Sequence, residues 1–222
     1  MSAYFSRDTF SFLRELRAHN DRDWFAANKE RFEKVRAPIL RFIGDVGPGL
    51  QKVSRTIVAD PRPSGGSLFR IYRDTRFSKD KSPYKDHFGA HFFHDSAKKG
   101  ASVPGFYLHI APGESFVAAG IWHPDPKALA RVRDAIASGS EEWKALRRTK
   151  LEIEGGSLKR PPRGYAADHP HIEDLKRTDF VTSIRLTDED MCSATFRTDF
   201  LKHCRRMAPL PRFVSRALGL SW

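Results

Sequence analysis

Between Phe69 and Lys85 the chain sets Arg70, Arg73, Arg76, Lys79, Lys81 and Lys85 among Phe69, Tyr72, Phe77 and Tyr84. Arginine forks suit bidentate contact with phosphate or carboxylate, and lysines supply point charges. Six cations this close repel one another unless anions intervene, and Asp74, Asp80 and Asp86 supply only three. The stretch therefore points to an anion site, or else to an internal salt-bridge network in which Asp74 pairs with Arg73 or Arg76. No Gly-rich phosphate loop accompanies it.

A second candidate is His109. In Gly105–Ile110 strict alternation puts Phe106, Leu108 and Ile110 on one face, and Tyr107 and His109 on the other. If that second face also carries Arg70 and Tyr72, the nearby cations would lower the pKa of His109 and keep it neutral, as a general base requires. His87, His91 and His94 have metal-ligand spacing only on a helix. Gly89 and the flanking phenylalanines favour a strand, on which His94 faces away from the other two, so no metal site is expected. There is no G-x-S-x-G motif, and Cys192 and Cys204 fall on one expected helix, without an activating context or a disulfide partner.

The elements that must position these groups are legible as patterns. Leu68–Arg73 reads as a strand with Phe69 and Ile71 turned to the core and Arg70 and Tyr72 turned outward. Asp74–Pro83 is a long hairpin loop. Tyr84 to about Phe93 returns as a second strand, and Gly105–Ile110 and Ser115–Trp122 complete a four-stranded antiparallel meander. Ala118, Ala119 and Gly120 in its last strand permit close approach of another element. A further strand is expected at Phe180–Leu186.

Before the meander, Ser6 or Asp8 can cap a first helix and Asn20 or Asp21 a second, with Pro38 and Gly47-Pro48-Gly49 expected as breaks. Asn28 lies on an apolar stripe and is expected to bond to backbone rather than to a ligand. After the meander, Asp125-Pro126 and Ser140 start two more helices. Residues 155–172 form a long loop packed by Tyr165. Thr187 opens a capping-box helix whose buried stripe is Phe196, Phe200, Cys204 and Met207. The fold class expected is α+β, a single domain over residues 1–222, with N- and C-terminal helices packed on a mainly antiparallel sheet.

Four stretches carry a family resemblance: Phe69–Lys85, Asn20–Asn28, Gly105–Gly113 and Ala119–Pro124. In order and in residue type they resemble the bacterial domain-of-unknown-function family 2461, a set of conserved hypothetical proteins. The resemblance spans about Phe5 to Phe213. It implies a single α+β domain and no activity.

The net charge of +12 favours an anionic partner. The excess is spread over residues 70–99, 144–163 and 197–216, with no basic tail, which weakens the case for a nucleic-acid arm. An anionic small molecule bearing phosphate or carboxylate is therefore preferred to nucleic acid, and the residues name no cofactor. The N-terminus lacks the apolar run of a signal peptide, and no stretch approaches a membrane span, so a cytoplasmic protein without a membrane partner is expected. The expected ligand contacts are Arg70, Tyr72, Arg73, Asp74, Arg76, Lys79, Lys81, Tyr84, Lys85 and Tyr107. His109 is the candidate base if chemistry occurs. Arg70, held on a strand, is expected to matter most.

Overall fold

A computed structural model of the chain describes residues 3–97 and 102–222. Three helices, α1 (Arg7–Ala18), α2 (Arg22–Ala27) and α3 (Lys29–Gln51), precede the strands β1 (Ile57–Val58), β2 (Phe88–His94), β3 (Gly105–Ile110) and β4 (Ser115–Ile121). Then come α4 (Pro126–Ala137), α5 (Glu141–Arg148), α6 (Ile172–Leu175), β5 (Phe180–Leu186), α7 (Asp188–Cys192), α8 (Phe196–Met207) and α9 (Pro209–Ala217). The five strands form one antiparallel sheet in chain order, so the fold is α+β.

Alternation divides the sheet. Phe88, Ala90, Phe92, Phe106, Leu108, Ile110, Val117 and Ala119 point one way and are buried beneath α1, α3 and α8. At the β4–β5 end, Ile121 and Phe180 continue that face into a second cluster with Val132, Trp143, Leu210 and Phe213 from α4, α5 and α9. Tyr165 of the long loop packs on this cluster and donates its hydroxyl to Asp134 at 2.8 Å.

Three local expectations change. Helix α3 runs through both Pro38 and Pro48. Each proline costs about 3 kcal/mol in a helix interior. The stripe Phe32, Val35, Ile39, Phe42, Ile43, Val46 and Leu50 is buried along the same helix, each side chain contributing about 1.5–3 kcal/mol, so packing wins. The helix expected to hold both cysteines is split at Ser193–Thr195, leaving Cys192 at the end of α7 and Cys204 in α8. Asn28 behaves as expected: its Nδ2 donates to the Trp24 carbonyl at 2.9 Å.

The third change concerns the first strand. Leu68–Arg73 is extended but meets the sheet only at Leu68, bridged to Ala90, and meets its own return arm at Tyr72, bridged to Tyr84. A bend at Ile71 resets the alternation. Leu68 and Ile71 are buried, while Phe69 and Tyr72 are 46% and 54% exposed. On the side of Tyr84 away from Tyr72 a side chain takes the place of a strand: Asn20 Nδ2 donates to the Tyr84 carbonyl and Asn20 Oδ1 accepts from the Tyr84 N–H, both at 3.0 Å. Tyr84 then stacks on Phe25 at 4.0 Å between centroids. The edge strand that does exist beside β2 is the two-residue β1, too short to be read from a pattern.

Candidate functional site on the open face of the sheet

The other parity of the strands carries His91, Tyr107, His109, Phe116, Ala118, Gly120, Val181, Ser183 and Arg185, and among the described residues no helix covers it. The register arranges them in rows. Gly89, His109, Phe116 and Arg185 form one; His91, Tyr107, Ala118 and Ser183 the next; Gly105, Gly120 and Val181 the third. Ala118 and the two glycines leave the centre low, while Tyr107 on one side and Ser183 on the other stand two strand spacings apart, about 9.5 Å. The result is a cavity of about 930 Å³, walled also by Phe69, Trp122 and Glu154.

The glycines are required by close approach. A Cβ on Gly89 would lie 2.5 Å from the Tyr107 hydroxyl, and one on Gly105 would lie 2.9 Å from His91 Nε2. The two rings therefore lie over bare backbone. Tyr107 Oη meets His109 Nδ1 at 3.1 Å. His109 in turn stacks on Phe116, with centroids 4.8 Å apart, and lies 4.4 Å from His87 on its other side. His87 Nδ1 is 3.3 Å from Asp86, which accepts from Arg17 Nε at 2.7 Å.

Burial sets the protonation of this face. It pushes His91 and His109 down to about 4 and Tyr107 up to about 12, because a ring charged in a dry setting is penalised. His109 is neutral, as expected, but the main cause is desolvation, followed by the neighbouring His87, rather than the hairpin cations. With both partners neutral near pH 7, the pair offers directed hydrogen bonds and no net charge.

The expected ligand contacts are only partly brought together. Tyr107 and His109 share the cavity face. Tyr72 and Tyr84 pack instead toward Phe25, on the helical side of the sheet. Arg73 pairs with Asp80, and Arg76 holds Asp74 bidentately, with Nε and NH2 at 2.9 and 2.7 Å. These contacts hold both aspartates near 2, Ser82 contributing most at Asp80. Lys81 donates to the Thr75 carbonyl. Much of the hairpin charge is thus spent internally. Arg70 and Lys79 are exposed. Lys85 reaches toward the cavity, its Nζ 5.3 Å from the centroid of Phe69, which lies over Tyr107 and His91.

Sequence reasoning missed Phe69, Phe116, Trp122, Glu154, Ser183 and Arg185 as cavity residues. Alternation in Phe180–Leu186 already sets Ser183 and Arg185 on the side away from Phe180 and Thr182. Glu154 carried no such signal: it joins the edge of β5 from a distant loop, its N–H donating to the Val181 carbonyl at 2.7 Å. Among the described residues no three His, Cys, Asp or Glu side chains gather as a metal cage, and no helix is long and apolar enough to cross a membrane.

The model of a family described as conserved hypothetical protein, domain-of-unknown-function family 2461, matches residues 8–213. The chain belongs to that family. The stretches that resemble it in sequence meet in space: Asn20 pairs with Tyr84, Tyr107 lines the cavity from β3 with His109 hydrogen-bonded beside it, and Gly120 in β4 and Trp122 just after it border the cavity. No curated protein and no solved structure matches the chain.

Proposed function

We propose that the open face of the sheet binds a small molecule bearing a carboxylate or phosphate on a flat apolar body. The observation that carries this is the cavity itself. It is floored by Gly105, Ala118 and Gly120, walled by the rings of Phe69, Tyr107, Phe116 and Trp122, and has Arg185 at its edge. Its volume suits a small ligand, and a mostly apolar lining with a few directed polar groups is the usual composition of such sites. Rings and hydrogen-bond donors on strands are preorganised, so little ordering entropy is lost on binding. Lys85 and Arg70 serve as a cationic rim that draws the anion in, and Arg185 is the contact at the end of its path. His109, held near 4, is a weak base, so binding and orientation are its stronger roles.

The test is a thermal-shift and calorimetric panel of benzoate, indole-3-acetate, phenyl phosphate and adenosine monophosphate. It is run on the wild type, Ala118→Leu, Arg185→Ala and Arg70→Ala. At least one compound should raise the melting temperature of the wild type. Ala118→Leu, which fills the floor, should abolish that shift, and Arg185→Ala should weaken affinity about tenfold or more, the size of a lost charged hydrogen bond. Arg70→Ala should change it less. A ligand that binds Ala118→Leu as tightly as wild type removes the cavity from consideration. Loss of binding in Arg70→Ala alone returns the site to the hairpin. Binding of mixed oligonucleotides with a steep salt dependence, and of none of these compounds, would favour a nucleic-acid surface instead.

A further inference from the structure

Two charged side chains on the β5 wall of the cavity have no partner of opposite charge among the described residues. They are Glu154 and Arg185. Glu154 is not a loose surface group: its backbone is bridged to Val181, and its carboxylate accepts from Ser183 Oγ at 2.8 and 3.0 Å. A hydroxyl has one proton to give, so most of the acceptor capacity of that carboxylate is unused. Arg185 stands two residues beyond Ser183 on the same face, about 7 Å along the strand, with its five N–H donors unclaimed by any carboxylate. The other acid of the lining, Glu114, differs, because Arg17 NH2 lies 3.7 Å from it.

Resting on the small-ligand reading above, we infer that the ligand is a zwitterion of the amino-acid type. Its ammonium is received by Glu154 and Ser183, its carboxylate by Arg185, and its flat side chain lies over Ala118 and Gly120 toward Tyr107 and Phe116. Arg185 and Ser183 leave the same face two residues apart, and the long arginine side chain can bring its fork to a carboxylate whose ammonium, on the same carbon, is hydrogen-bonded at Glu154. A plain carboxylate would satisfy Arg185 and bring its negative charge close to Glu154, at a cost in affinity. The same acid thus works as a selector, admitting an anion only when it carries its own cation.

Three probes of nearly equal shape separate the charges: L-phenylalanine, 3-phenylpropanoate, which lacks the ammonium, and 2-phenylethylamine, which lacks the carboxylate. Dissociation constants are measured by calorimetry or by chemical-shift titration on the full chain, with circular dichroism confirming that each variant is folded. L-phenylalanine should bind at least about tenfold more tightly than either single-charge probe. Glu154→Gln should bring L-phenylalanine down to the level of 3-phenylpropanoate while slightly tightening 3-phenylpropanoate. Arg185→Gln should bring it down to the level of 2-phenylethylamine. If 3-phenylpropanoate binds as well as L-phenylalanine and Glu154→Gln has no effect, the zwitterion inference is overturned and an anion site of the proposed kind stands. If none of the three binds at millimolar concentration, the inference is overturned, and the anion panel decides separately whether the cavity binds anything.

Discussion

On the inner face of the sheet Phe88, Phe92, Phe106, Leu108 and Val117 are sealed by helices. One residue away along the same strands, His91, Tyr107 and Phe116 line an uncovered hollow, with His109 beside Tyr107 and Phe116. The strands, the register and the backbone hydrogen bonds are common to both faces, so the difference lies wholly in side chains. Inside, large apolar groups fill the space to the next layer and supply the folding free energy. Outside, glycine and alanine are interleaved with rings, a combination that fills nothing and leaves room. A surface that needed only to be wet would be expected to carry charged and polar groups there, as the outer face of an ordinary antiparallel sheet does. Here two histidines and a tyrosine are instead desolvated and displaced from their ordinary pKa values. Perturbed groups beside a cleft support the binding reading proposed above.

Paired substitutions at adjacent residues of β2 should give the largest contrast. Phe92 is fully buried, with its ring 5.3 Å from Phe200, whereas Phe93 is half-buried on the open face. Phe92→Ala should cost about 3–5 kcal/mol, through lost burial and a residual cavity. Phe93→Ala should cost about 1 kcal/mol, in the range of partly exposed positions. Urea unfolding of both variants measures the ratio, and equal losses would mean that the open face is structural as well.

Acid should act on the open face next. Burial pushes His91 and His109 down to about 4 in the folded protein, from an ordinary value of 6.5. Between those values the unfolded chain binds protons that the native state refuses, so stability falls as pH drops from about 6.5 toward 4. Above 6.5 the two rings contribute no slope, and below 4 their penalty is constant. His87 lies beside His109 and Asp86 beside His87, so a melting-temperature profile of His91→Gln, the more isolated ring, gives the cleaner comparison. Its slope between pH 6.5 and 5 should be shallower than that of wild type. An identical slope would place the pH sensitivity elsewhere.

The smallest effect is expected from Tyr107→Phe, which deletes one half-buried hydrogen bond to His109 and keeps the ring. The expected cost is about 1 kcal/mol or less, while the affinity of any ligand that uses the hydroxyl falls several-fold. A stability loss as large as that of Phe92→Ala would make the Tyr107–His109 pair a structural tie rather than part of a site.

Much of this protein is written in local pattern. The alternation of Gly105–Ile110, Ser115–Ile121 and Phe180–Leu186 determines which residues share a face. The caps at Asp125, Ser140 and Thr187 stand where side-chain chemistry puts them. The α+β class follows from the order of those segments, and Tyr107 and His109 were legible as neighbours on one side of a strand. Other features were decided only in three dimensions. Leu68 pairs with the inward-facing Ala90, which turns Phe69 over the cavity face, and the bend at Ile71 returns that residue to the core. Tyr72 went to the helical side, where Phe25 and Tyr84 offered a stack. Two of the cations that composition made conspicuous, Arg76 and Arg73, found their own aspartates, because Asp74 and Asp80 lie two and seven residues from them. Glu154 reached the edge of β5 across a loop, a distance along the chain that no periodicity records. Which face of the sheet stays open depends on where the helices settle. That choice is made by the summed burial of all of them, and no single stretch of the chain contains it.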